Sequence, residues 1–171
     1  SRNIPSIGID LLKQQGFQVQ VWPEDRPMTQ EELIFAAKQA DVLLSLGENK
    51  IDPFFLKECN HLKMISQFAV GYDNINIPEA TRLGIPVGNT PGVLADATAD
   101  IAFGLMIAVS RKFFFNHLKI INGGWGAFMP TANLGQELYG KTLGIFGLGS
   151  IGSVMAQRCK GAYNMNVIYY N

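Results

Sequence analysis

Hydrophobic and polar positions change period along this chain in a regular order. Ile4, Ile7, Leu11 and Leu12 recur at helical spacing, with Pro5 suited to a first helical position and Gly16 to a C-terminal cap, so residues 1–16 predict a helix. Residues 17–22 alternate as a strand does, and residues 23–27 read as a loop. Thr29 and Glu32 have the spacing of a capping box and predict a helix through Leu33, Ile34 and Ala37. Residues 41–46 predict a short strand that stops at Gly47. Asp52 and Pro53 supply a cap and a first-turn proline for a short helix to Cys59. Residues 63–67 predict a strand, residues 77–83 a helix between Pro78 and Gly84, and residues 85–87 another strand before the turn at residues 89–92. Helices and strands alternating over short connections predict an α/β chain with parallel sheets. Ligands in such sheets lie beyond the carboxyl ends of the strands, which marks Leu46–Gly47 and Ala69–Val70–Gly71 as tips to inspect.

The pattern lengthens after residue 92. Residues 94–120 predict one helix of roughly 40 Å at 1.5 Å per residue. Its middle, residues 101–109, is apolar on all sides, which predicts burial between two domains or in a subunit interface. Residues 123–140 form a long connection carrying Trp125, Phe128 and Pro130, and a connection of that length with large apolar residues is often functional or covered by a partner. Residues 143–146 then read as a buried strand running straight into G-x-G-x-x-G at Gly147, Gly149 and Gly152. An amphipathic helix with Ile151, Val154, Met155, Cys159 and Ala162 follows, then a β-rich run over residues 166–170.

Strand, glycine turn, helix and strand make one βαβ unit in which each glycine has a task. Gly147 permits the turn, Gly149 lets backbone approach a pyrophosphate, and Gly152 lets the helix pack close to the strand. The helix N-terminus offers free N–H groups to phosphates. The set Gly147, Leu148, Gly149, Ser150, Ile151 and Gly152 is therefore a candidate cofactor-binding turn, the other reading being a purely structural glycine turn. The ribose-binding acidic residue of such units falls here on Asn171: the position matches and the residue type departs.

Composition narrows the partners. Fourteen Lys and Arg balance fourteen Asp and Glu without a charged block, which argues against nucleic acid and anionic membrane as partners. The two cysteines, Cys59 and Cys159, lack metal-ligand spacing and read as small buried or half-buried residues of a reduced compartment. The apolar run 101–109 is too short to span a bilayer. With no signal peptide at the start of the chain, a cytoplasmic protein is the expectation.

Several segments together carry a resemblance. Residues 69–75 (AVGYDNI), 89–93 (NTPGV), 97–100 (ATAD) and 140–152 (GKTLGIFGLGSIG) resemble the D-isomer-specific 2-hydroxyacid dehydrogenases, most of all the glyoxylate and hydroxypyruvate reductase branch. The resemblance covers essentially the whole chain. It implies a flavodoxin-like substrate domain over residues 1–92, its first strand missing ahead of the opening helix, and the first part of a Rossmann cofactor domain over residues 93–171, linked by the long helix. It implies NAD(P)H-dependent reduction of a small 2-keto acid. Leu46 and Gly47, from the strand-tip reading, stand with Val70 and Gly71 as candidate substrate-binding residues, and the resemblance implies that the last two are backbone donors to the carboxylate. Val70, Thr98, the glycine turn and Asn171 match cofactor positions. It implies a homodimer formed through the long helix and the Trp125 loop.

The departures bear on activity. The family's substrate arginine and its histidine–glutamate acid pair lie downstream of the second Rossmann strand, so residues 1–171 contain no catalytic residue. His61, His117 and Arg111 match none of these positions. Aspartate at position 171 would repel a 2′-phosphate; Asn171 does not, which keeps NAD or NADP open and leans slightly to NADP. Asn164 stands where the family often has glycine, and Asn tolerates the left-handed cap. Two other readings remain at this point. One is a dinucleotide-binding, dimerising module without turnover. The other is a flavodoxin-type FMN binder, a fold that does not hold FMN through G-x-G-x-x-G.

Overall fold

The capping signals act where the sequence places them. The structure is a computed structural model that describes residues 4–171. Helix α1 (Ser6–Gln14) follows Pro5 and closes before Gly16 at φ 85°; the first three residues of the expected helix lie outside the described residues. Thr29 Oγ1 accepts from the Glu32 amide at 3.2 Å, the Glu32 carboxylate accepts from the Thr29 amide at 2.8 Å, and helix α2 (Gln30–Ala37) follows. The chain divides into two compact units, Ser1–Pro91 and Gly92–Asn171.

In the first unit, β1 (Val42–Ser45), β2 (Met64–Gln67) and β3 (Val87–Gly88) form a parallel sheet in the order β1-β2-β3. Helices α3 (Pro53–Glu58) and α4 (Ile77–Arg82) connect the strands. Asp52 Oδ1 accepts from the Phe55 amide at 2.9 Å and starts α3, which carries Phe55 and Leu56 fully into the core beside Ile51 and Ile65. Each such side chain contributes about 1.5–3 kcal/mol by leaving water. Residues 17–22 do not form the expected strand. Phe17 and Val21 stay exposed, and these residues join no ladder among the described residues. Alternation creates a strand only where a neighbouring edge accepts its hydrogen bonds.

The second unit holds α5 (Ala95–Ser110), α6 (Phe113–Ile121), β4 (Thr142–Phe146), α7 (Ser150–Tyr163) and β5 (Asn166–Tyr170). The expected single long helix is two. The Ser110 carbonyl accepts from the Gln136 amide at 2.8 Å, the Lys112 amide turns back to Val109, and Lys112 takes the left-handed φ of 56°. A residue in the left-handed region interrupts the right-handed run of backbone angles, so α5 ends after about 24 Å. Within this single chain the middle of α5 is covered on one side. Ala99 and Ala108 are buried, while Ile101 is 66% and Val109 70% exposed.

One face of α5 packs on α7, where Phe103 and Tyr163 stack with ring centroids 5.9 Å apart. Arg158 of α7 bridges Asp96 at 3.2 Å and Asp100 at 3.1 Å on α5. Strands β4 and β5 pair in parallel from Thr142↔Asn166 to Phe146↔Tyr170, and Asn164 caps α7 at φ 47°. The βαβ unit read from the sequence is therefore present.

Candidate functional site

Strand β4 delivers the glycine turn to the start of α7. Gly147 adopts φ 89°, a conformation costly for residues with a β-carbon, and its amide donates to the Tyr170 carbonyl at 2.8 Å. A β-carbon on Gly152 would overlap the Gly147 carbonyl oxygen, so helix and turn touch backbone to backbone there. Gly149 differs from both. Its φ is −82°, open to any residue, and a β-carbon on it would meet no atom within 4 Å. Nothing among the described residues requires glycine at that position. Gly149 is also the N-cap of α7 and supplies no side-chain cap, so the amides of the first turn of α7 lack a side-chain acceptor from it.

The structure gives Leu148 and Asn171 a partnership the sequence did not suggest. Asn171 Oδ1 accepts from the Leu148 amide at 2.6 Å. The oxygen is thereby directed at the glycine turn, and the side-chain NH2 is left to donate elsewhere. Thr98 lies in the first turns of α5 and is exposed; the i, i+4 pair Asp96 and Asp100 faces Arg158, which puts Thr98 on the opposite side of that helix.

The first unit brings Leu46, Gly47, Val70 and Gly71 to the carboxyl ends of β1 and β2, and a polar network ties the two tips together. Ser45 and Gln67 are in-register partners on neighbouring strands, both buried, and Ser45 Oγ donates to Gln67 Oε1 at 2.6 Å. Gln67 Nε2 donates to the Gly71 carbonyl at 3.2 Å and to Asn74 Oδ1 at 2.9 Å. Asn74 Nδ2 donates to the carbonyls of Asn49 at 2.7 Å and Leu46 at 3.3 Å, and Asn49 Oδ1 accepts from the Leu46 amide at 2.8 Å. Asn89 Nδ2 donates to the Val70 carbonyl at 2.8 Å, and the Thr90 amide donates to that of Ala69 at 3.0 Å. The amides of Val70, Gly71 and Tyr72 donate to no backbone carbonyl among the described residues.

Sequence reasoning missed Ser45, Gln67, Asn74 and Asn89 as site-building residues. The available signal was a polar residue closing each of two apolar strands, VLLS and MISQ.

His61 and Arg111 are engaged within the fold. His61 Nε2 donates to the Ala37 carbonyl at 3.2 Å, and Arg111 closes α5. Burial pushes the Cys59 and Cys159 thiols up, which keeps them protonated and unreactive. Among the described residues no His, Cys, Asp and Glu cluster could hold a metal ion, and no helix is long and apolar enough to cross a membrane. An open groove of about 400 Å³ runs along Lys50–Pro53 and Tyr72–Pro78, and none of the sequence-predicted site residues lines it.

Residues 1–168 match the D-isomer specific 2-hydroxyacid dehydrogenase catalytic domain. The chain is 41% identical over its whole length to a glyoxylate reductase of Pyrococcus horikoshii, covering 52% of that protein. It thus spans about half the length of the curated relatives it matches. Among solved structures it resembles the TT0316 protein of Thermus thermophilus with TM-score 0.92 and 34% identity, covering 99% of this chain and 54% of that one. An acyclic imino acid reductase in complex with NADPH and D-Arg is 26% identical with TM-score 0.84, covering 98% of this chain and 52% of that one. The βαβ unit with its glycine turn, the parallel α/β architecture and these matches together show that the chain belongs to the D-isomer specific 2-hydroxyacid dehydrogenase family of oxidoreductases.

Proposed function

We propose that the protein carrying this chain reduces a small 2-keto acid of the glyoxylate or hydroxypyruvate kind with NADH or NADPH. The observation that carries this reading is Gly149. Gly147 and Gly152 are explained by the chain's own backbone, whereas the open space at Gly149 is explained by a pyrophosphate that needs it. The first-turn amides of α7 suit the same anion. Gly147 to Gly152, with Thr98, Val70 and Asn171, are the residues that hold the dinucleotide.

When bound, the dinucleotide supplies the hydride to the keto carbon. The protein's part within these residues is binding and orientation. The amides of Val70 and Gly71 take the substrate carboxylate, and Leu46 and Gly47 border it. Residues 1–171 supply no acid for the keto oxygen. With its oxygen on Leu148, Asn171 turns donors outward, and donors suit phosphate oxygens; this favours NADP. Domains over residues 1–92 and 93–171, a homodimer formed through α5 and the Trp125 loop, and a cytoplasmic location complete the reading.

Oxidation of NADH and of NADPH by the full-length protein, assayed against a panel of 2-keto acids, is the test. Turnover of glyoxylate or hydroxypyruvate is expected. Failure of both dinucleotides to bind in calorimetry overturns the reading.

A further inference from the structure

A trans peptide points its N–H opposite to its carbonyl, so a donor that fixes the carbonyl of one residue also aims the amide of the next. Three successive carbonyls are fixed in this way after β2. The Thr90 amide holds that of Ala69, the Asn89 side chain that of Val70, and the Gln67 side chain that of Gly71. The amides aimed by these anchors are those of Val70, Gly71 and Tyr72, and none of them donates to backbone. Gln67 is 1% exposed, and its amide cannot flip without setting its oxygen against two acceptors, the Gly71 carbonyl and Asn74 Oδ1. The same side chain, through Asn74, fixes the Leu46 carbonyl at the neighbouring tip.

We propose that Gln67 and Asn89 are positioning residues for the substrate carboxylate: they touch no substrate, and they hold the amides of Val70, Gly71 and Tyr72 as its donors. This rests on the reading that the turn receives a carboxylate. It adds a third donor, the Tyr72 amide, and names the side chains that preset all the donors but that of Val70. Presetting matters because a donor already aimed at an anion loses little freedom when the anion binds.

The test uses the full-length protein and glyoxylate as the probe, with two variants. Gln67→Met keeps volume and removes the donors. Asn89→Ala removes a donor at a site near the surface, where the fold depends on it little. Amide resonances of Val70, Gly71 and Tyr72 are followed as glyoxylate is added, and KM for glyoxylate, KM for the dinucleotide and kcat are measured alongside. In the wild type the three resonances are expected to shift and saturate together. Each variant is expected to need about tenfold more glyoxylate, the effect of one well-made hydrogen bond, with a matching rise in its KM and an unchanged KM for the dinucleotide. Loss of melting temperature with unaltered glyoxylate affinity overturns the proposal, as does a parallel fall in every kinetic parameter. A wild type that reduces glyoxylate while both variants bind it normally sinks this inference and leaves the proposed reaction standing. A wild type whose three amides titrate without turnover does the reverse.

Discussion

Gly149 and Gly152 are two glycines of one motif with different reasons to be glycine. Gly152 faces backbone, so Gly152→Ala must push α7 away from the turn and is expected to cost about 1–3 kcal/mol, the usual effect of overpacking. Gly149→Ala meets open space at an ordinary φ, gives up only the modest preference for glycine over alanine at an N-cap, and is expected to lower the melting temperature less than Gly152→Ala while weakening dinucleotide binding in the full-length protein. Gly149→Asp, which sets a carboxylate against the pyrophosphate, is expected to abolish binding. Paired melts and calorimetry separate these effects, and equal losses of stability for the two alanine variants would contradict the geometry. This part of the site was legible because the motif is local. Gln67 and Asn89 were not, since Gln67 acquires meaning only from Ser45 in register on β1 and from the carbonyl of Gly71.

Elements were predictable where their ends are fixed by neighbours in sequence. The capping box of α2, the Asp52–Pro53 start of α3 and the left-handed Asn164 after α7 all needed only a few adjacent residues. The break between α5 and α6 lies at a left-handed Lys112, beside a hydrogen bond from Gln136, 26 positions beyond Ser110, and no periodicity over residues 94–120 contains either feature. Residues 17–22 show the opposite error, a strand-like alternation without an edge to join. The start of α2 also gives a pH dependence. The Arg26 guanidinium, with help from the Thr29 amide, holds the Glu32 carboxyl at about 2, below its ordinary value of 4.5. A carboxyl depressed in the folded state binds more protons when unfolded, so its contribution is complete above 4.5 and is lost as pH falls toward 2. Melting temperatures measured from about pH 5 down to about 2 are expected to fall more steeply for the wild type than for Glu32→Gln; identical slopes would rule the linkage out.

At the scale of the whole chain, apolar surface is unevenly covered. Phe146 is 90% exposed and its ring neighbour Tyr170 68%, both at the end of the two-stranded sheet. Trp125, Phe128 and Met129 are exposed in the connection before β4. Apolar surface of this extent promotes association. The isolated 171-residue polypeptide is expected to self-associate in sedimentation experiments, and a monomer with a sharp cooperative melt would count against this.

Strand order has a further consequence, for the rate at which the backbone trades protons with solvent. Among the described residues strand β2 is flanked by β1 and β3, whereas β4 and β5 pair only with each other. In a parallel pair, successive amides point to alternate sides. Deuterium should therefore enter every second amide along β4 and β5 quickly, giving a two-residue rhythm, while Ile65 and Ser66, which have partners on both sides, should exchange slowly one after the other.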